Sequence, residues 1–425
     1  MRPVRRRREW RRRVVTDLRP LSEPEGAGRL ADVNGYHRVL TGQCISAFGS
    51  ELTQFALPLV VALLTGSAFA IGAVASAGAA GAVLFSLPAG SVVDRIDTKR
   101  ACVVAECTQA VIAALLVVTI VADVHAVAVY CALSFTVGGV TAVTYPATSK
   151  FMRTLVGDRL LPDAMARQQG LGFVIASTAP AVAGLMIQLG RSIPFLIDCL
   201  SFAISALLFL LVPRFRAVPA PPDADAGTSE GPVATRVVTR VLRPLSGLFL
   251  SIFLVGVGAS GLLVGILVTL TRQHTAPTLI GALFTIGAVA AIAGSFACPW
   301  LRRRYSDKAL LLSISWSMGV ALPLLALNGG TTAVAGIIIV GFALSPIGEV
   351  IISSTIMAQV PLDYQGRASS VLYLLSGIAG VGGPVLASLL VSGSSGYTAL
   401  IVLALAFTGA AGVVSLSKLR FAEPR

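Results

Sequence analysis

Gly90-Ser91-Val92-Val93-Asp94-Arg95-Ile96-Asp97-Thr98-Lys99-Arg100 stands between two long apolar runs, residues 68–92 and 101–122. The eleven residues hold five charges, whereas the two flanking runs together hold only Glu106. A helix needs roughly 20 apolar residues to cross a bilayer core of about 30 Å. The stretch therefore reads as a short charged turn between two membrane-crossing helices.

Twelve such runs follow one another: 39–64, 68–92, 101–122, 126–148, 168–190, 193–213, 244–270, 277–300, 309–328, 332–357, 368–391 and 397–417. The composition agrees, with 55% of the 425 residues hydrophobic and only 12% charged, a mean hydropathy of +0.83, and about half the charge of an ordinary soluble chain. A soluble two-domain enzyme is excluded. The expected fold is an all-α integral membrane protein of twelve transmembrane helices in two pseudo-symmetric six-helix halves.

Placing the 33 basic residues orients the chain. With the N-terminus inside, 31 fall in cytoplasmic segments and only Arg191 and Arg272 fall outside, the asymmetry expected of the positive-inside rule. The net charge of +13 is thus mainly a matter of orientation, and both termini are expected in the cytoplasm of a multi-pass cell (cytoplasmic) membrane protein. Residues 1–38 form a basic tail with Arg5 to Arg8 and Arg11 to Arg13, suited to touching anionic lipid rather than nucleic acid. Residues 39–213 are the N-terminal half, 214–243 a linker rich in Pro and mixed charge, 244–417 the C-terminal half, and 418–425 a second tail.

The halves overlay at an offset of 204 residues, which pairs Gly90 with Gly294, Arg100 with Arg304 and Pro180 with Pro384. Duplicated halves are how many secondary transporters build a central site with alternating access.

The opening stretch resembles the loop between helices two and three of the major facilitator superfamily. Gly42-Gln43-Cys44-Ile45-Ser46, Gly49-Ser50, Ala56-Leu57-Pro58, Leu64-Thr65-Gly66-Ser67, Phe195-Leu196-Ile197-Asp198-Cys199-Leu200-Ser201-Phe202 and Gly366-Arg367 are similar to its branch of enterobactin exporters and macrolide efflux proteins. The likeness spans about residues 36–420. The family has Gly where Asp97 stands, and the second-half copy, Gly294 to Arg304, has Cys298 in place of an acid matching Asp94. Ala179-Pro180-Ala181-Val182-Ala183-Gly184 is similar to an antiporter motif, with Gly383 and Pro384 in a more flexible second copy. The resemblance implies a transporter with small-molecule and proton partners, acting as a monomer. It also leaves a siderophore exporter, a lipid flippase and an uptake permease as readings of the same fold.

Only four of the 20 acidic residues lie within the spans: Glu51, Glu106, Asp198 and Glu349. A charge at the bilayer centre costs at least about 2.5–3.5 kcal/mol and marks a functional candidate. No Lys or Arg stands inside a span, so these carboxyls can exchange protons or attract cations. Glu51, with Gln54 and Phe55 on a partly polar face, is the first candidate for proton coupling or substrate binding. Glu349, with Ser345 and Ser353 a turn away, is the second. For each the competing reading is a carboxyl held only for packing. Glu106 is six residues past Arg100 and is expected to pair with the basic loop. Asp198 follows Arg191 by seven residues and is expected to pair or cap there rather than carry protons, though it stays among the coupling candidates.

Gly90, Asp94, Arg95, Lys99 and Arg100 can bridge helix ends on the cytoplasmic side and bias the conformational equilibrium, or serve only as topology signals. Pro180, Gly184, Gly383 and Pro384 suit a rocking interface, or static packing. Cys44, Cys102, Cys107, Cys131, Cys199 and Cys298 lie in apolar runs without a CxxC pair, so neither a disulfide framework nor a zinc site is expected. Lys99, Lys150, Lys308 and Lys418 each follow a residue other than glycine, which excludes the phosphate loop of an ATPase. No cofactor, no metal and no enzymatic activity are expected.

Overall fold

The computed structural model describes residues 30–212, 245–328, 331–360, 362–393 and 396–416. Residues 1–29 of the basic tail, the linker at 214–243 and the second tail at 418–425 lie outside the described residues. A short 3-10 turn, Leu30–Asp32, leads into twelve helices. The first half holds α1 (Tyr36–Thr65), α2 (Ala68–Arg95), α3 (Thr98–Val121), α4 (Val127–Gly157), α5 (Arg159–Leu189) and α6 (Ile193–Leu210). The second holds α7 (Ser246–Arg272), α8 (Pro277–Arg304), α9 (Asp307–Asn328), α10 (Thr331–Gln359), α11 (Leu362–Gly393) and α12 (Gly396–Leu416). Among the described residues ten of these are long and apolar enough to cross a membrane, and Leu400–Leu416 in α12 is a shorter apolar stretch.

Local chemistry sets the helix ends. Gly66 leaves α1 in the left-handed region (φ 62°) with its N–H bonded to the Ala62 carbonyl, and the Ser67 hydroxyl caps α2 by accepting from Ala70 N–H. Between the fourth and fifth spans, residues 149–167 were expected to form a connection. Instead α4 and α5 run on through them and meet at Gly157, whose φ of 72° and ψ of 167° break the helix in a single residue.

The repeat has two registers. α2 and α3 match α8 and α9 at an offset of 209, Ala68 to Pro277, Arg95 to Arg304 and Thr98 to Asp307, whereas α5 and α11 match at 204 through Pro180 and Pro384. The second half is shorter by five residues between the starts of its third and fourth helices. Gly90 with Gly294 and Arg100 with Arg304 are therefore not structural equivalents, and only the proline pair survives.

That pair holds the halves together. α11 packs on α2, and α5 on α8. A Cβ on Gly72 of α2 would overlap the Pro384 carbonyl and Ser388, and one on Gly281 of α8 would overlap the Pro180 carbonyl. Gly72 and Gly281 are themselves 209 residues apart. One turn further, the Ser76 hydroxyl donates to the Val381 carbonyl (2.8 Å). Its counterpart Thr285 accepts from the Ala181 N–H (3.1 Å). At the 204 offset Ala181 matches Val385, the residue whose N–H would bond Val381 within α11. The two hydroxyls thus reach opposite ends of the same helical hydrogen bond, at the point where each proline has loosened its helix.

Buried apolar residues divide unevenly along the bundle. At the end away from the termini, residues of both halves, among them Leu59, Val60, Phe195, Leu267, Leu283 and Leu403, form one continuous core. At the end carrying the termini each half has its own core, one around Tyr36, Met152 and Phe209, the other around Leu248, Leu310 and Ile351. Among the described residues the apolar core is thus shared by the halves at one end, the closed end, and divided between them at the other, the parted end.

Gly281→Val places a branched side chain against the Pro180 carbonyl and should destabilise the bundle by about 1–3 kcal/mol. Gly336→Ala, which meets nothing within 4 Å, should be neutral or slightly stabilising. Thermal unfolding of the detergent-solubilised protein checks both.

Candidate functional site

Three aromatic rings bridge the halves within the shared core. Phe55 of α1 sits edge-to-face with Phe284 of α8 at 5.3 Å between centroids, and Phe284 likewise with Phe342 of α10 at 6.2 Å. Glu51 lies one turn from Phe55 toward the parted end, about halfway along α1, and is half-buried. Among the described residues it has no hydrogen-bond or ion-pair partner. Gln54, beside it, is exposed. On α10 the same face runs from Phe342 through exposed Ser345 to exposed Glu349, two turns nearer the parted end. Glu51, Gln54, Phe55 and Glu349 thus stand on the two helices that carry the ends of the aromatic bridge. Phe284 and Phe342 did not stand out in the sequence, because a phenylalanine in an apolar span looks like any core residue.

The other two acids do not pair as expected. Arg191 is exposed in the turn before α6, while Asp198 is only 2% exposed and faces α1. There Thr53 donates to its carboxylate at 2.6 Å and the Ser201 hydroxyl lies 3.4 Å from the other oxygen. Gly49 permits this approach, since a Cβ there would strike Asp198 and Ser201. Glu106, also 2% exposed, accepts from Ser46 of α1 at 3.3 Å rather than reaching the basic loop. Six residues turn an α-helix by about 600°, so Arg100 is on the exposed side of α3 when Glu106 is turned inward. A buried acceptor left without a donor costs roughly 1–3 kcal/mol, and Glu106 Oε2 is such an atom.

At the parted end, the basic residues cap helices within each half. Lys99 reaches the Leu210 and Val212 carbonyls at the end of α6 (2.8 and 2.5 Å), and Arg38 reaches Leu211. Lys308, at the matched position of α9, reaches the Ser415 carbonyl at the end of α12 (3.0 Å). A cation there offsets the partial negative charge of unsatisfied carbonyls. Asp97 caps α3 through Arg100 N–H (2.9 Å), and Ser306 does the same for α9 through Ala309 N–H (3.3 Å). The Arg100 side chain is exposed. Gly90, Asp94 and Arg95 occupy the last turns of α2, and their side-chain surroundings lie outside the described residues.

The second half does have an acid at its loop, displaced from the position held by Cys298. Asp307 forms a bidentate pair with Arg302 (2.8 Å to both Nε and Nη2), and Arg302 also donates to Ser354 of α10 (3.1 Å). Of the antiporter-like residues, Pro180, Gly184 and Pro384 lie on the inter-half seams, whereas Gly383 packs on α7 against Ser260 and Val257. An apolar groove of about 570 Å³ runs beside α1 between α5 and α6, lined by Leu40, Phe48, Val174, Ile197 and Ile204 among others.

A multi-pass membrane bundle of paired six-helix halves, joined at one end and parted at the other, is the architecture of a transporter rather than an enzyme. The chain belongs to the Major Facilitator Superfamily, whose model matches residues 39–384. No curated protein matches it by sequence. Among solved structures it is similar to a point mutant of the nucleoside transporter NupG, at 15% identity over 90% of this chain and 98% of that one, with a TM-score of 0.73. A bacterial homologue of the iron transporter ferroportin, in an inward-facing state, is 16% identical over 91% and 99%, with a TM-score of 0.72. A bacterial homologue of the human lysosomal transporter Spinster, inward-facing and unoccupied, is 12% identical over 90% and 97%, with a TM-score of 0.71. Identities this low speak for the fold alone.

Arg302→Ala should leave the buried Asp307 carboxylate without its partner and cost about 1–3 kcal/mol, tempered by the partial exposure of the arginine. The double variant Arg302→Gln with Asp307→Asn should recover part of that loss in thermal unfolding.

Proposed function

We propose that the chain is a proton-coupled exporter of a small amphiphilic compound, a drug or natural product, acting as a monomer in the cytoplasmic membrane with both termini inside. The observation that carries this reading is Glu51, a half-buried carboxyl without a partner among the described residues, one turn below the aromatic bridge between the halves. The bias of 31 of 33 basic residues to one side supports the orientation. In that orientation the parted end faces the cytoplasm, where an exported compound loads.

In the cycle, Glu51 takes a proton from outside and releases it inside, while the halves rock about a cavity lined by α1, α4, α7 and α10. Substrate and proton compete for the cavity or for the state it favours. Each proton moving down the membrane potential supplies roughly 2.3 kcal/mol per 100 mV, which sustains about a 50-fold concentration gradient. Pro180, Gly184, Gly383 and Pro384 serve the rocking surfaces, and Gly90, Asp94, Arg95, Lys99 and Arg100 bias the two states. The linker at 214–243 joins the halves, and the tails meet lipid.

Acids with no basic residue in the spans favour a neutral or cationic substrate over an anionic one, which counts against a siderophore. The aromatic bridge and the apolar groove beside α1 suit its lipophilic part.

Glu51→Gln should reduce pH-gradient-driven efflux from loaded proteoliposomes to background while expression and thermal midpoint stay at the wild-type level. Unchanged efflux in that variant would remove Glu51 from the mechanism.

A further inference from the structure

Five buried side-chain polar atoms have no hydrogen-bond partner among the described residues: Tyr36 Oη, both amide atoms of Gln43, Glu106 Oε2 and Ser205 Oγ. They belong to α1, α3 and α6, of which α6 packs on both of the others and α1 meets α3 through Ser46 and Glu106. Such atoms are rare in folded proteins, and those of Glu106 and Ser205, which lie against one another beside Gln43 and Ser46 of α1, call for a guest that satisfies them.

The surroundings define the guest. Glu106 is 2% exposed and Ser205 fully buried, with Gln43 at 9%. Ser46 donates to Glu106 Oε1 at 3.3 Å, and the Ser205 hydroxyl approaches the same carboxyl. Ser205 faces Gly42 of α1, where an added Cβ would meet its Oγ in ordinary contact at 3.4 Å. Gln43 and Ser46 lie three residues apart on α1, so they share one side of that helix. The donors are hard oxygens carrying a single negative charge. No group of three His, Cys, Asp or Glu residues suited to a metal ion exists among the described residues, and a divalent ion would demand more carboxylates.

We propose that Glu106, Ser46, Ser205 and Gln43 form an occluded site for a small monovalent cation, Na⁺ or a hydrated proton, inside the first half and apart from the cleft of Glu51 and Glu349. The occupant joins α1, α3 and α6 around one positive charge. Two turns further along α1, Thr53 and Asp198 repeat the pairing of an α1 hydroxyl with a buried acid, and Ser201 of α6 stands to Asp198 as Ser205 does to Glu106.

The titratable groups that bear on Glu106 are Asp198 of α6 and, on its own helix, Cys102 one turn away. From α1 the titratable groups are Tyr36, Cys44 and Glu51, with His37 and Arg38 exposed at its start, and from α6 also Cys199. α4 meets α3 through Thr144, to which Gln109 donates at 3.5 Å, and its Lys150 and Arg153 lie nearer the parted end.

The test uses the purified full-length chain and its thermal unfolding midpoint, read against NaCl with choline chloride at equal ionic strength, and then against pH without sodium. A ligand that binds only the folded state raises the midpoint by mass action. A rise with Na⁺ but not choline, absent in Glu106→Gln, assigns sodium. A rise on acidification without a sodium response, also absent in Glu106→Gln, assigns the proton. Ser205→Ala keeps the acid and removes one ligand, so it should move either response to roughly five- to tenfold higher ion concentration, and it carries the test if Glu106→Gln does not fold. A wild-type midpoint indifferent to both ions, or a response that Glu106→Gln and Ser205→Ala leave intact, overturns the site. No substrate or transport enters the measurement, so its outcome is separate from that of the Glu51 reading.

Discussion

Two glycines, Gly72 and Gly281, each with a proline carbonyl from the opposite half pressed against it, set how the rest of this molecule can be arranged. Lipid tails are as apolar as leucine, so helices in a membrane gain little from hiding side chains from one another, and close backbone approach must do the work. The proline removes a hydrogen bond from its own helix, and a hydroxyl one turn along the partner helix, Ser76 or Thr285, bonds the loosened backbone. The duplication makes the same joint twice, on opposite sides of the bundle. Two such joints hold the halves in contact on both sides of the bundle.

Each half is stiffened on its own at the end carrying the termini. Lys99 ties the start of α3 to the end of α6, and Lys308 ties α9 to α12. Among the described residues the apolar cores are separate there, whereas one core is shared at the far end. The halves are not identical bodies. The second half spans α8, α9 and α10 with the Arg302, Asp307 and Ser354 network, whereas the first half buries two acids against α1 with only hydroxyl partners.

The four intramembrane acids therefore fall into two sorts. Glu51 and Glu349 stand on the faces of α1 and α10 that lead down from the aromatic bridge, and the chemistry proposed for them is exchange with the cleft. Asp198 and Glu106 are sealed between helices of one half, where a charge changes helix packing rather than substrate contact. One helix, α1, carries or touches three of the four. Any event at the buried acids thus acts on the helix that holds Glu51.

Much of this was legible in the chain. Twelve spans, the paired halves and the membrane class follow from hydropathy and charge, because a bilayer imposes one length and one composition on whatever crosses it. The four acids were likewise conspicuous, being costly wherever they point. Their directions were not legible. Separation along the sequence suggested Arg100 for Glu106 and Arg191 for Asp198, but a helix turns about 100° per residue, and the faces turned toward α1 met Ser46 and Thr53 instead. A single repeat offset likewise concealed the five-residue difference between the halves, which removed two of three matched pairs and brought Lys99 into register with Lys308. Composition and periodicity determine that a segment crosses the membrane. Which side chains meet inside it depends on helix rotation and register, and only the packed structure decides those.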